Sequence, residues 1–178
     1  VTDVANAVFE QSDAIMLSGE TSVGKYPVRS VETLIRIARR TENFPGVNFT
    51  EKLIKGNNGQ HLAESAIQIA TNLKIRAIVV ITRNGRGAGY LSNLRPSQIG
   101  IYSFTNSPKV FTSMMLYRGV YPFLMELRDN PEDTIQDALG ILQKTEGFAA
   151  EEQVVVLANI LTGEGYRTSL QIRSIPAA

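Results

Sequence analysis

The sequence predicts an α/β protein with three layers, α/β/α, in which a mostly parallel five-stranded sheet lies between helices. From residue 60 onward, helical and strand patterns alternate along the chain. The apolar run Ile78–Ile81 is rich in β-branched residues and does not alternate, which is typical of a strand covered on both faces. Because only a short loop separates the last two predicted strands, we expect them to form an antiparallel pair at one edge.

The individual elements follow from periodicity and capping signals. Strands are predicted at 77–82, 100–105, 120–125, 153–159 and 169–175. Ser107-Pro108 and Asn130-Pro131 each place a capping side chain before a proline at the first helical position, and Gly147 is a helix stop signal. Right-handed crossovers between parallel strands then distribute the helices over both faces of the sheet.

The N-terminal segment has a different pattern, with a helix to about Phe9, a short strand at 14–17, a polar turn at 18–26 and a helix from Pro27. Because four apolar residues in one strand cannot build a core, we expect this strand to join a sheet whose other members lie outside the chain, or to pair with another chain or refold against the domain. The chain also begins within a helical pattern, as expected for a piece of a longer protein. The predicted division is 1–43 for this segment, 44–59 for a linker and 60–178 for the α/β domain.

Composition excludes several classes of function. The net charge of +1 gives no electrostatic reason to expect nucleic acid or a membrane surface as the main partner. No apolar run approaches the ~20 residues that a membrane helix requires. The absence of cysteine excludes disulfides and thiolate metal sites, and the single histidine, His61, is interpreted as a surface or capping residue. These features predict a soluble, cytoplasmic protein.

The loop at 82–87 is the strongest candidate site. Thr82-Arg83-Asn84-Gly85-Arg86-Gly87 connects a buried strand to a helix N-terminus and carries two glycines and two arginines. Free N–H groups, the helix dipole and two guanidinium groups together suit an anion, most simply a phosphate. The alternative is an ordinary strand-to-helix turn in which the glycines only ease the bend and the arginines are solvated.

Two stretches resemble the pyruvate kinase family. Val1–Val8, Ile15–Thr21 and Gly24–Pro27 resemble the last strand and helix of its catalytic barrel, and Leu116–Pro122 resembles a run in its C-terminal domain. The resemblance implies the C-terminal domain fold, preceded by a remnant of a TIM (β/α)8 barrel. It also implies an enzyme that transfers the phosphoryl group of phosphoenolpyruvate to ADP, giving pyruvate and ATP, with Mg²⁺ and K⁺ as cofactors.

The same resemblance places the catalytic lysine, the metal-binding acids and the potassium ligands upstream of Val1. We therefore expect this chain to bind no cofactor, to be inactive alone, and to act as a regulatory and assembly domain within a homotetramer that includes its own barrel. Ser18, Glu20 and Thr21 would lie near the rim of the active site. The alternative is that these three side chains only hydrogen-bond the turn.

The resemblance further implies an allosteric effector site. A sugar phosphate's anion would lie on Thr82–Gly87, covered by a loop at 159–168 that includes Gly163, Gly165, Tyr166 and Arg167. Members that bind fructose bisphosphate carry serine or threonine where this chain has Asn84 and Gly87, and an arginine for the second phosphate where it has Ile135. Glu164 adds a negative charge to the covering loop. These differences favour a sugar or nucleotide monophosphate, or no effector, over fructose bisphosphate.

Two other interpretations remain. One is a standalone, non-catalytic module that binds a sugar phosphate or another anion. The other is a dinucleotide-binding domain, but Gly85-Arg86-Gly87-Ala88-Gly89 does not continue as the G-x-G-x-x-G pattern that such domains require.

Overall fold

The computed structural model describes residues 1–47, 50, 53–162 and 165–177, with only the backbone described for 160–162, 165 and 166. The chain divides into two compact units, Val1–Leu53 and Ile54–Ala178. The predicted division into a barrel remnant, a linker and a domain from residue 60 stays a prediction.

The first unit contains three helices: α1 (Thr2–Phe9), α2 (Gly19–Ser22) and α3 (Pro27–Thr41). Proline opens α3 as predicted, where its missing N–H has no intrahelical partner to lose. Residues 14–17, predicted as a strand whose partners lie outside the chain, form no ladder with any described residue, so that pairing stays a prediction. A strand needs a neighbour for its backbone groups. Met16 is 85% exposed, which counts against refolding of this segment onto the chain.

The second unit is the predicted α/β domain. Its helices are α4 (Asn58–Asn72), α5 (Arg86–Asn93), α6 (Pro108–Met114) and α7 (Pro131–Thr145). Its strands are β1 (Ala77–Ile81), β2 (Gly100–Thr105), β3 (Val120–Leu124), β4 (Gln153–Thr162) and β5 (Gly165–Ser174). The sheet order is β3-β2-β1-β4-β5, with the first four strands parallel and β5 antiparallel to β4. The fold class predicted from the sequence is confirmed.

Local capping signals explain where these helices begin and end. Ser107 accepts a hydrogen bond from the Val110 N–H at 3.4 Å, and Asn130 accepts one from the Glu132 N–H at 3.1 Å. Gly147 follows α7 with φ +66°, a conformation that favours glycine. Each cap satisfies backbone groups that a helix end leaves unpaired.

Each face of the sheet has its own core. Alanines of α4, Leu91 of α5 and Met114 of α6 pack on the face that carries Ile78 and Val80. Ile135, Leu139 and Leu142 of α7 pack on the opposite face. The chain leaves β1 through α5 toward β2 and enters β4 from α7 on the other face. The gap between β1 and β4 is therefore the switch point at which open parallel sheets bind ligands.

The last two strands extend further than the sequence predicts. β4 runs to Thr162, β5 begins at Gly165, and pairing continues through Asn159↔Thr168 to Thr162↔Gly165. The expected loop at 159–168 is therefore wrong for the described residues, which form a paired ladder. The reason is that two antiparallel strands joined by a short connection can remain hydrogen-bonded up to the turn.

Candidate functional site

An open cleft of about 1050 Å³ lies at the carboxyl ends of β1 and β4. Its walls come from the β1–α5 loop, the first turns of α4 and α7, the β3–α7 connection and the start of the β4–β5 ladder. This is the switch point defined by the strand order, and it lies wholly within the second unit. The cleft is therefore the candidate site.

The β1–α5 loop is closed by its own side chains. The Oγ1 atom of Thr82, a buried residue, accepts a hydrogen bond from the Gly85 N–H at 3.0 Å. Asn84 Oδ1 accepts one from the Arg86 N–H at 3.1 Å. Two backbone donors of the loop are thus satisfied within the chain, and the side chains of Arg83 and Arg86 are exposed at the cleft.

Both glycines of the loop have structural roles. Gly85 adopts φ +75°, a conformation that costs residues with a Cβ about 1–2 kcal/mol. A Cβ at Gly87 would lie 3.1 Å from Val80 Cγ1, so glycine allows α5 to approach β1 closely. The turn therefore needs both glycines whether or not an anion binds there.

The charged groups that line the cleft are all cationic among the described residues. They are Arg83, Arg86 and Arg128, and no described carboxylate belongs to the lining. The Arg128 Nε atom donates to Asp137 Oδ2 at 2.8 Å, behind the wall. This hydrogen bond raises the pKa of Arg128, with smaller contributions from Glu126 and Asp133. The cleft as a whole favours an anionic ligand.

Neutral polar groups complete the walls. The Asn57 Nδ2 atom donates to the hydroxyl of Tyr90 at 3.4 Å, and the Thr168 hydroxyl donates to Asn159 Oδ1 at 3.1 Å. These amides and hydroxyls lie on the cleft together with Thr134. They are the donor and acceptor types that hydroxyl groups of a sugar require.

The structure brings most of the predicted loop together at this cleft. Thr82, Arg83, Asn84, Arg86 and Gly87 line it, whereas Gly85 is buried within the turn. Gly163 and Glu164 lie outside the described residues, and Gly165 and Tyr166 are described at the backbone only. Arg167 is exposed on β5 and is not part of the lining.

Sequence reasoning missed Arg128, Thr134 and the Asn57 end of α4. Arg128 follows the carboxyl end of β3, and the carboxyl ends of parallel strands lie at the same edge of the sheet. Its position after a predicted parallel strand could therefore have identified Arg128 as a candidate site residue. Ile135, compared above with an effector-binding arginine, is 1% exposed in the core beneath α7. Ile135 is absent from the cleft lining, whereas the preceding residue, Thr134, belongs to it, and the comparison with an arginine stays a prediction.

Ser18, Glu20 and Thr21 hydrogen-bond one another across the short turn of the first unit. The Ser18 N–H donates to Glu20 Oε2 at 3.1 Å, and the Thr21 hydroxyl donates to the Ser18 carbonyl at 3.2 Å. Backbone hydrogen bonds from Glu20 and Ser18 lower the pKa of Glu20. These hydrogen bonds agree with the alternative that the three side chains stabilise the turn. A position near an active site stays a prediction.

Other kinds of site are absent from the part of the chain that the structure describes. Among the described residues, no group of three or more His, Asp or Glu side chains is arranged to hold a metal ion. No described helix is both long enough and apolar enough to span a membrane.

The fold and site define a doubly wound α/β domain whose switch point carries a cationic cleft suited to a small anion. The alpha/beta domain of pyruvate kinase matches residues 60–172, and the pyruvate kinase barrel domain matches residues 1–31. The chain belongs to the pyruvate kinase family. This confirms the resemblance found in the sequence.

Individual relatives agree with this assignment. The chain is 39% identical over 160 residues to pyruvate kinase isozyme G, chloroplastic, of Ricinus communis, covering 88% of this chain and 38% of the relative. It is 34% identical to pyruvate kinase of Sporosarcina psychrophila, covering 95% of this chain and 29% of the relative. The chain thus spans between 29% and 38% of the length of these two relatives.

Solved structures are similar across nearly the whole chain. Cryptosporidium parvum pyruvate kinase in complex with ADP superimposes with a TM-score of 0.82 at 26% sequence identity, covering 98% of this chain and 36% of that one. A second crystal structure of a pyruvate kinase from Cryptosporidium parvum gives a TM-score of 0.84 at 25% identity.

Proposed function

We propose that this chain is the C-terminal part of a pyruvate kinase, which transfers the phosphoryl group of phosphoenolpyruvate to ADP. The family assignment supports this, and so does the limited share of each relative that the chain covers. Only residues 1–31 match the barrel domain, so most of a catalytic barrel would come from residues outside this chain. Mg²⁺, K⁺ and the nucleotide would bind in that barrel, where metal ions and fixed charges stabilise the transferred group.

The assignment is tested by assaying pyruvate formation from phosphoenolpyruvate and ADP. We expect activity in the protein produced from the complete reading frame and none in the purified 178-residue chain. Activity of the 178-residue chain alone would contradict the proposal that catalysis requires the barrel residues outside this chain. Inactivity of the complete protein would leave a non-catalytic anion-binding module as the better assignment.

Within that enzyme, the cleft of the second unit is proposed as an effector site for a sugar or nucleotide monophosphate. The observation that carries this proposal is the set of three lining arginines with no carboxylate among the described lining residues. The phosphate would lie between Arg83 and Arg86 at the start of α5, where the helix dipole also favours an anion. The ligand's hydroxyl groups would face the neutral amides and hydroxyls of the other walls.

Calorimetry on the protein from the complete reading frame tests the effector site. We expect Arg86→Gln to weaken glucose 6-phosphate or AMP binding about tenfold, because a charge-assisted contact is lost. Lys74→Gln is the matched control, since it makes the same change in charge at an exposed position near the opposite end of β1. Equal affinities for the two variants would refute this site.

Assembly and location are proposed from the family alone. The complete protein would be a cytoplasmic homotetramer in which this domain contacts its own upstream barrel. Light scattering coupled to size-exclusion chromatography would give the subunit number directly, and a monomer at micromolar concentration would contradict it.

A further inference from the structure

The cleft has two cationic walls that differ in their surroundings. Arg83 and Arg86 lie on the β1–α5 loop, where no carboxylate of the described residues forms an ion pair with them. Arg128 lies on the wall formed by the β3–α7 connection, with its guanidinium bonded to Asp137. As far as the described residues show, one wall therefore presents positive charge without a carboxylate partner, and the other presents a cation with an acid beside it.

Arg128 is also hydrogen-bonded to α7 through both its backbone and its side chain. Its backbone N–H donates to the Thr134 hydroxyl at 2.9 Å, and Thr134 is only 3% exposed on the first turn of α7. Asp137 lies on the same helix, one turn further along. The backbone and the side chain of Arg128 thus both hydrogen-bond to α7, and this places Asp137 beside the guanidinium.

Other acids add to this compensation. Glu126 and Asp133 also favour the charged form of Arg128, each less strongly than Asp137. The immediate surroundings of this one arginine therefore include three carboxylates. A second phosphate placed at this wall would meet the attraction of Arg128 together with the repulsion of its neighbours.

We propose that Asp137 makes the cleft selective for ligands that carry a single phosphate. This inference rests on the proposed effector function. The phosphate binds at Arg83 and Arg86, and the uncharged, hydroxyl-bearing end of the ligand lies against the compensated Arg128 wall. The Nε atom of Arg128 is used by Asp137, and the guanidinium has further N–H donors for hydroxyl groups. Selectivity then comes from repulsion of the wrong ligand, a common device in specific sites.

The test compares glucose 6-phosphate with glucose 1,6-bisphosphate, two probes that differ by one phosphate, by calorimetry on the protein from the complete reading frame. Wild-type protein should bind the monophosphate more tightly. Asp137→Asn should strengthen bisphosphate binding about three- to fivefold, the scale of one exposed charge interaction, with monophosphate binding changed less than about twofold. Asp137→Glu should keep the wild-type preference, because it keeps the carboxylate.

Further variants test whether the effect of Asp137→Asn comes from the charge at this wall, and not from the net charge of the protein or from loss of the fold. Glu151→Gln makes the same change in net charge at an exposed position just before β4, at the opposite edge of the sheet, and should leave both affinities unchanged. Arg128→Gln should weaken bisphosphate binding further, because it leaves the carboxylates without their cation. Urea unfolding of each variant would verify that the fold is kept.

The outcomes distinguish this inference from the proposed function. If wild-type protein binds neither probe, or if Arg86→Gln leaves binding unchanged, the effector site itself is wrong and the inference falls with it. If glucose 6-phosphate binds through Arg86 but Asp137→Asn leaves the ratio of the two affinities unchanged, the effector site stands and the role of Asp137 is refuted.

Discussion

The hydroxyl of Thr82 accepts a hydrogen bond from the backbone N–H of Gly85, with 3.0 Å between Oγ1 and the nitrogen. Both residues are buried, and the Thr82 N–H donates to the Phe104 carbonyl of β2 at 2.9 Å. The loop that carries Arg83 and Arg86 is therefore anchored to the sheet without any ligand. The backbone of such an anchored loop loses little further conformational entropy when a ligand binds.

Replacing Thr82 with valine should destabilise the domain by about 1–3 kcal/mol, because the buried Gly85 N–H loses its acceptor while the side-chain shape is nearly kept. Thr82→Ser retains the hydroxyl and should cost less. Urea unfolding followed by circular dichroism measures both. Equal stabilities for the serine and valine variants would show that this hydrogen bond does not hold the loop.

Gly85 should tolerate substitution less well than Gly89, which lies one turn later in α5. Gly85→Ala forces a Cβ into φ +75° and to within 3.3 Å of Val110 Cγ1, so a loss of about 1–2 kcal/mol is expected. At Gly89 the nearest atom to an added Cβ is Tyr117 Cε2 at 3.6 Å, an ordinary contact. Gly89→Ala should therefore be neutral or stabilise by up to about 1 kcal/mol. The same unfolding measurement would contradict this account if the two variants changed stability alike.

The fold was largely predictable because its signals are local. Ser107 and Asn130 each cap a helix by accepting a hydrogen bond from a backbone N–H two or three residues further on. Apolar runs mark the buried strands regardless of which strand each one pairs with. The extent of β4 and β5 was not predictable in this way. The family resemblance implied a loop at 159–168, yet residues up to Thr162 have partners on the neighbouring strand, and such pairing depends on two segments together.

The site was predicted only in part, for a related reason. Residues 82–87 are contiguous, so one stretch of sequence revealed them, whereas Arg128 reaches the cleft only through the strand order. At α7, periodicity placed Ile135 in the buried stripe, and family resemblance compared it with an arginine. The structure confirms the buried stripe, and the comparison with an arginine stays a prediction.

The Arg76–Glu152 pair should make stability depend on pH in the acidic range. The Arg76 guanidinium donates to Glu152 at 2.6 Å, and this hydrogen bond lowers the pKa of Glu152 from its usual 4.5. A lowered pKa means that the stabilisation is present above the unfolded pKa and is lost as pH falls through the folded value. Since the side chain of Arg76 is 47% exposed, solvent screening limits the effect to about 0.5–1 kcal/mol.

Glu152→Gln should accordingly lower the free energy of unfolding at pH 7 by about 0.5–1 kcal/mol. The difference from wild type should begin to shrink as pH falls below the usual pKa of 4.5 and should disappear once pH has passed through the lower folded-state pKa, where the glutamate is protonated in both states. Glu151→Gln, one residue earlier and exposed, serves as the control and should show no such convergence. A deficit that stayed constant from pH 7 to pH 3 would indicate a packing effect instead of an ionic one.

Ile135 provides the sharpest test of which face of α7 lies on the cleft. It is 1% exposed in the core beneath that helix, so Ile135→Arg buries an unpaired charge and should cost at least about 4 kcal/mol. Gln136→Arg introduces the same side chain one residue later, at an exposed position, and should change stability by less than about 0.5 kcal/mol. Urea unfolding distinguishes the two at once. If the Ile135→Arg protein kept wild-type stability and bound glucose 1,6-bisphosphate more tightly, position 135 would have to face the cleft, and the packing of α7 described here would be wrong.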